Sequence, residues 1–497
     1  MMAELRTAFN TDKTRSKAWR LAQLCAMEKM LDESRDELCD AVYADLKKDK
    51  FQAYMQEIAL IYQEIYDAKK HLDAWMSDEY VVNGLMTAPA QSLIQKDPLG
   101  VVLILGAWNY NVLLSIQPMV GAIAAGNCVV VKPGSYSANS SSVICKVINK
   151  YMDPDCILAV EGNRNVTNAL LEQKFDKIFF TGSPFVGKVV AEAAAKHLTP
   201  VVLELGGKSP CIVDRTADLY VSARRYCWGA FMNSGQTCVR PDYVMVHEAV
   251  ADDFIREVKA ALGEFYGGDV KRSEFFGRLV NDSAFERLKK CLDKDAKYLV
   301  HGGAHDKAER YLEPSLFDFG RDLQAFAASE LMQDELFGPL VPIFRYRDLD
   351  AEVLPFIRAH EKPLALYVFT ADGEVAERTL RLTTSGGAIV NDVVVHLANP
   401  ELPFGGVGAS GMGAYHGKHS FDCFSHRKGV VKRITFGDAP LRYPPYTSVN
   451  QAIMNFFLTP AINYYIGEAT HLLTDKKNVA IGVMGMYIVR NALKAKL

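Results

Sequence analysis

Residues 202–210 read V-L-E-L-G-G-K-S-P, an apolar run interrupted by one acid and stopped by two consecutive glycines. Such a run ends a buried strand. A carboxylate placed there faces something other than bulk water and must be paired or functional, because burying it alone is costly. Upstream, short Val- and Ile-rich runs recur at residues 101–105, 128–131, 157–160, 177–180 and 201–205, with helical stretches between them. This alternation predicts a parallel sheet covered by helices on both faces, the architecture that binds dinucleotides at the carboxyl ends of its strands. A second alternation runs from near Cys211 to about Asn391 and includes residues 243–246, 341–344 and 365–369. It predicts a second α/β domain.

The two alternations meet near residues 231–238, F-M-N-S-G-Q-T-C. A lone cysteine is most often a small buried hydrophobe. Here Gly235, Gln236 and Thr237 precede Cys238, and small or polar residues suit a turn that presents a thiol. Together with Glu204, this segment resembles the aldehyde dehydrogenase superfamily. Residues 403–426, P-F-G-G-V-G-A-S-G-M-G-A-Y-H-G-K-H-S-F-D-C-F-S-H, resemble its class 3 branch of fatty and aromatic aldehyde dehydrogenases, and the likeness runs from about residue 99 to 428. The resemblance implies Cys238 as nucleophile and Glu204 as general base. In residues 106–111, G-A-W-N-Y-N, it implies that Asn109 stabilises the oxyanion. Asn111 stands where the family usually has Pro, which predicts a less rigid loop. The implied fold is α/β, aldehyde dehydrogenase-like: two doubly wound parallel-sheet domains and a small bridging oligomerisation element.

Residues 180–187, F-T-G-S-P-F-V-G, place a Gly-Ser turn between a strand and a helix starting near Pro184. Free amides and the helix dipole favour a phosphate there, although the G-x-x-x-x-G spacing alone is weak. By resemblance, Gly182, Ser183 and Gly187 contact NAD or NADP, as does Gly206. Lys132 reaches the adenine ribose in the same way. Ser135 occupies a position commonly held by an acid, which opens the site to NADP as well as NAD. In residues 334–339, D-E-L-F-G-P, the resemblance gives Glu335 and Phe337 to the nicotinamide ribose and ring. Trp228, Met232 and Phe404 are either walls of an apolar substrate tunnel or plain core.

A formal net charge of −3 without a basic stripe excludes nucleic acid as a partner class. Ten cysteines without a C-x-x-C pair read as reduced intracellular thiols, and no metal-ligand spacing is present. The first ten residues lack the apolar core of a secretory signal. Residues 14–78 carry apolar stripes at helical spacing (Leu38, Val42 and Leu46; Ile58, Ile61, Tyr62 and Ile65), predicting two or three amphipathic helices with solvated charged faces. The domain expectation is a cofactor domain from residues 1–80 and 98–206, and a catalytic domain from 207–391. Residues 81–97 and 392–440 would form the bridging element, with 81–97 as a projecting hairpin that suits a homodimer. Residues 441–497 form a tail. Its apolar stretches, 452–466 and 479–489, are too short to span a bilayer, leaving surface helices at the substrate entrance or in peripheral contact with a membrane. The terminal Ala-Lys-Leu resembles a peroxisome-type address. The rival expectations are a CoA-acylating dehydrogenase, or a silent homologue with a binding role.

Overall fold

In a computed structural model the chain forms two compact units. One comprises residues 1–72 and 98–424; the other comprises 73–97 and the described residues from 425 onward. The structure describes residues 1–83, 87, 90–435 and 442–460. The apolar stretch 479–489, the end of 452–466 and the terminal Ala-Lys-Leu lie outside the described residues.

The larger unit holds two large sheets and a two-stranded one, His305–Asp306 with Tyr311–Leu312. In the first, six strands run in the order Gly411–Met412, Val201–Glu204, Lys177–Thr181, Val101–Leu105, Cys128–Lys132 and Ile157–Ala159. All neighbours are parallel except the short Gly411–Met412 strand. Val101, Val102, Leu103 and Ile104 are each 0% exposed, which is why these strands read as continuous apolar runs and not as alternating ones. The chain starts at Val101–Leu105, builds outward to Ile157–Ala159, then crosses back to Lys177–Thr181 on the other side. The order therefore reverses between Val101–Leu105 and Lys177–Thr181, and the loops after these two strands flank the crevice where such folds bind ligands.

The second sheet has seven strands in the order Leu299–His301, Ser315–Asp318, Leu340–Tyr346, Tyr243–His247, Pro210–Val213, Ala365–Phe369 and Gly387–Val390. Only its first pair is antiparallel. Its core is aromatic: Phe326 packs on Phe344 and Phe356 with ring centroids 5.6 Å apart in both cases. The two alternations expected from the sequence are these two sheets.

The N-terminal region is helical over Lys17–Leu46 and Ala59–Met76, with a short helix Lys50–Ala53 and a π-helical turn Tyr54–Ile58 between them. Leu38, Val42, Leu46, Ile58, Ile61 and Ile65 are buried as the stripes predict. The charged faces, expected to be solvated, are not uniformly so. Glu57 is 0% exposed and Glu64 3% exposed, because the Tyr54–Ile58 turn packs on the Asn111–Ala124 helix and Glu64 reaches the Gly417–Cys423 helix. Glu64 accepts hydrogen bonds from the Gly417 N–H at 2.8 Å and the Ser420 hydroxyl at 2.9 Å.

Residues 392–424, expected in the bridging element, group with the larger unit. In the smaller unit, Glu79–Val81 pairs antiparallel with Ala90–Pro98, forming the expected hairpin, and Ser425–Arg433 adds a third strand. The described part of the tail includes the helix Ser448–Phe457, capped by Thr447. Among the described residues, no helix is long and apolar enough to cross a membrane.

Candidate active site

The thiol-bearing loop is built from left-handed backbone. Asn233, Ser234 and Gly235 all have positive φ, at 52°, 55° and 75°. Only Gly235 is forced to be glycine, since a Cβ there would lie 2.4 Å from the Gly338 carbonyl oxygen. This tight turn ends the Leu219–Phe231 helix and lifts Cys238 to the wall of a cavity of about 240 Å³. The Gln236 side chain anchors the loop from outside: its Nε2 donates to the Arg278 carbonyl at 3.0 Å, and its Oε1 accepts the Val280 N–H at 2.9 Å.

Asn109 approaches the same loop from the end of the Val101–Leu105 strand. Its Nδ2 donates to the Gln236 carbonyl at 3.1 Å, and its own carbonyl accepts from Asn233 Nδ2 at 2.8 Å. One amide hydrogen is thus spent on fixing the plane of the side chain, and the second remains for another acceptor. The next residue, Tyr110, lies with its hydroxyl 2.6 Å from the Thr237 hydroxyl. Glu204 and Cys238 line the same cavity, and Trp228, Met232 and Phe404 are among its apolar walls with Leu113 and Leu114. All three of those aromatic and Met side chains line the cavity, and Met232 and Phe404 are also buried.

The cavity lining is almost wholly apolar, and burial controls the titration of the acidic groups in it. Glu204 is 3% exposed, and neither of its oxygens has a hydrogen-bond partner among the described residues. Burial holds its carboxyl well above the usual carboxylate range. Burial likewise pushes the Cys238 thiol up to about 12, with the charges of Glu335 and Glu204 adding to it, while the backbone N–H groups of Cys238 and Val239 pull the other way. His416, another lining residue, stacks on Phe404 at 5.1 Å, and burial drives its imidazole down to about 3, so it stays neutral.

The expected coenzyme contacts lie at the carboxyl ends of the first sheet, apart from Glu335 and Phe337, which precede the Leu340–Tyr346 strand of the second. Ser183 caps the Pro184–Ala195 helix by accepting the Val186 N–H at 3.4 Å, with Pro184 in the first turn as predicted. Gly182 and Gly187 are close-packed: added Cβ atoms would lie 2.5 Å from the Phe180 ring and 2.7 Å from Leu205. Glu335 lies over Gly206, where a Cβ would fall 2.0 Å from its Oε2. The Glu335 Oε1 is buried without a hydrogen-bond partner among protein atoms, and burial raises its carboxyl to about 8. Phe337, at φ 47°, packs edge-on to Trp108 at 5.4 Å. The N-terminus of the Pro184–Ala195 helix, beside Gly182, and the Glu335 oxygen without a partner among the described residues together fit a phosphate- and ribose-bearing ligand. Lys132 is buried, with its Nζ 2.8 Å from the Pro133 carbonyl, and burial lowers its pKa. Ser135, three residues on, is exposed.

The loop carrying Asn111 is tied down, contrary to the expectation of looseness. Asn111 Oδ1 accepts the Gly134 N–H at 2.8 Å, and its Nδ2 donates to the Ser140 hydroxyl at 3.0 Å. The side chain replaces the ring constraint of a proline with hydrogen bonds to the Lys132–Ser137 turn. Sequence reading also missed the frame behind the Glu335 segment. Buried Arg240 donates to the carbonyls of Gly338 at 2.6 Å and Leu340 at 2.9 Å. Asp242 accepts the Leu336 N–H at 3.1 Å and pairs with Lys208. Lys208 falls within the opening motif, so it could have been singled out; Arg240 and Asp242 carry no local signal.

The match to the model of the "Aldehyde dehydrogenase family" covers residues 1–430. The rat "Aldehyde dehydrogenase, dimeric NADP-preferring" is 46% identical over 442 residues, covering 88% of this chain and 96% of that one. The mouse "Aldehyde dehydrogenase family 3 member A2" is 42% identical over 461 residues, covering 92% and 94%. Among solved structures, a substrate-bound state of Staphylococcus aureus AldH superposes with a TM-score of 0.88 at 42% identity, covering 92% of this chain and 98% of that one. With this likeness running through both sheets and the thiol-bearing loop, the chain belongs to the aldehyde dehydrogenase family.

Proposed function

We propose that this chain oxidises apolar aldehydes, medium or long aliphatic or aromatic, to free carboxylic acids with NAD or NADP. The observation that carries the reading is that Cys238 and Glu204 line one apolar cavity, with the Asn109 amide anchored to the loop that bears the thiol. Cys238 Sγ attacks the aldehyde carbon and forms a thiohemiacetal. Its oxyanion takes the second Asn109 amide hydrogen and the Cys238 N–H. Lys132, Gly182, Ser183, Gly187, Gly206, Glu335 and Phe337 would hold the coenzyme. When bound, the nicotinamide supplies the acceptor for the hydride that leaves the aldehyde carbon. Glu204 then takes a proton from the water that hydrolyses the Cys238 thioester. A carboxyl in this position supports release of a free acid over transfer to CoA. The rat relative is named as dimeric, and the Glu79–Pro98 hairpin suits the same assembly here.

The reading is tested by assaying a series of aldehydes of graded chain length with both coenzymes. Reduced coenzyme and a stoichiometric free acid are expected, with kcat/KM rising with chain length. Absence of turnover with every aldehyde would refute it.

Coenzyme choice is read at Ser135. An acid near the adenine ribose repels a 2′-phosphate, and Ser135 carries no charge. Ser135→Glu is expected to lower kcat/KM for NADP about 10- to 100-fold while changing NAD far less. An unchanged NADP/NAD ratio would remove Ser135 from coenzyme selection.

The pH profile follows from the burial of the two reacting groups. Both groups act only after losing a proton, and burial raises both pKa values; kcat/KM reports Cys238, which acts before the hydride leaves, whereas Glu204 acts in the later hydrolysis. The active fraction therefore grows as pH rises. kcat/KM is expected to climb from about pH 6 to about pH 9, by up to about tenfold per unit where the protonated forms dominate. A profile that is flat or falling over this range would contradict the assignment.

A further inference from the structure

Lys48 and Glu57 form an ion pair with Nζ 2.7 Å from Oε1 and both side chains fully buried. The local backbone creates it. The Lys17–Leu46 helix stops at Lys47 in the left-handed region, φ 54°, and Asp49 caps the next helix, so Lys48 occupies a tight elbow that turns inward. Glu57 comes from the π-helical turn Tyr54–Ile58, whose widened register buries Gln56, Glu57 and Ile58 in succession. π-turns of this kind recur at functional positions.

A buried ion pair is a poor stabiliser, since the cost of desolvating two charges commonly matches or exceeds their attraction. Apolar side chains of similar volume would serve the packing as well. What the pair does touch is specific. Glu57 Oε2 accepts the Val112 N–H at 3.0 Å, in the first turn of the Asn111–Ala124 helix, whose own N-cap residue Tyr110 offers no side-chain cap. Lys48 Nζ lies 4.0 Å from the centroid of the Tyr110 ring. The hydroxyl at the far end of that ring meets Thr237, the residue before Cys238. Next to the elbow, the Leu46 carbonyl accepts the Arg278 N–H at 2.8 Å, and Arg278 in turn receives Gln236 Nε2 on its carbonyl. Tyr110 is thus clamped between a cation on its face and the thiol loop at its hydroxyl, and Asn109 is its chain neighbour.

We infer that the Lys48–Glu57 pair is a positioning device: it fixes the Asn109–Tyr110 turn and, through the Tyr110 hydroxyl, the height of the Cys238 loop. The pair touches neither the aldehyde nor the sulfur. It sets the distance between the oxyanion donor and the nucleophile, the kind of placement whose loss by a fraction of an ångström lowers rate without lowering affinity. The inference rests on the assignment of Asn109 and Cys238 to the reaction. Turnover by Cys238→Ala would defeat that assignment, whereas the experiment below addresses the pair alone.

Three proteins are compared with wild type: Lys48→Met with Glu57→Gln, which neutralises the pair and keeps an acceptor for the Val112 N–H; Tyr110→Phe; and the three changes combined. The readouts are the rate of the first hydride burst at saturating aldehyde and coenzyme, the dissociation constant of reduced coenzyme by fluorescence, and the melting temperature. The pair-neutralised protein is expected to bind coenzyme within about twofold of wild type, yet to lose about tenfold or more in burst rate. Tyr110→Phe should lose about three- to tenfold, and the combined protein should fall no further than the pair-neutralised one, because the three side chains act as one connection. A wild-type burst in the pair-neutralised protein, or losses that multiply in the combined protein, would overturn the inference. If neutralising the pair prevents folding, Tyr110→Phe and Thr237→Val decide it. Equal losses that do not add in combination support the inference, and unchanged or multiplying rates overturn it.

Discussion

Replacing Cys238 by Ala is expected to lower aldehyde oxidation by about 10⁴-fold or more, since the covalent route through the thiohemiacetal disappears and no other thiol lines the cavity. Coenzyme affinity should stay within a fewfold of wild type. The proposed coenzyme contacts lie on the carboxyl ends of the first sheet and on the Glu335 segment, and the Cys238 loop is held from outside by Gln236, Arg278 and Val280 regardless of what stands at position 238. Fluorescence titration with reduced coenzyme, alongside steady-state turnover, separates the two quantities. Turnover within about tenfold of wild type would sink the nucleophile assignment, and loss of coenzyme binding would show that the substitution had disturbed more than the sulfur.

Glu204→Gln is expected to behave differently. The amide keeps the shape of the carboxyl but cannot take a proton from water, so thioester hydrolysis should slow about 10²- to 10⁴-fold. Attack and hydride departure precede that step. A first burst of close to one reduced coenzyme per active subunit should therefore survive. Electrostatics sharpen the expectation. Burial is the main reason the Cys238 thiol is raised, and burial also keeps the Glu204 carboxyl largely uncharged at neutral pH, so replacing that acid should leave the burst rate there close to wild type. Stopped-flow absorbance of reduced coenzyme, followed into the steady state, measures both phases. Loss of the burst together with the steady state would assign Glu204 to the first half of the reaction.

Much of this was legible in the sequence because the sheets are buried on both faces. A strand such as Val101–Leu105, with no polar position, announces itself as an apolar run, and the residues at its carboxyl end are then placed by topology. Glu204 stood out for the same reason, as an acid where the pattern allowed none. Lys48 and Glu57 did not. They lie in the charged stretch between two long helices, and only the packing of other elements over them distinguishes a buried ion pair from two solvated charges. Asn111 illustrates the same limit: a missing proline predicts slack, yet a side-chain amide holds the turn through contacts with residues 134 and 140, more than twenty positions away. Arg240 and Asp242 belong to this class as well. Their partners in residues 336–340 are close in space and remote in sequence.

The anchoring of the Asn109 amide on the Gln236 carbonyl joins groups 127 positions apart in the chain, one from each sheet. Loop-closure entropy opposes a contact of that span, as it opposes the Cys211–Tyr367 and Glu204–Gly411 pairings within the sheets, whereas the helices close through local contacts. Helical structure should therefore return before catalysis when the denatured enzyme is diluted into buffer. For this chain, regained activity reports closure of these long-range contacts, and it is a stricter measure of the native state than circular dichroism or compactness.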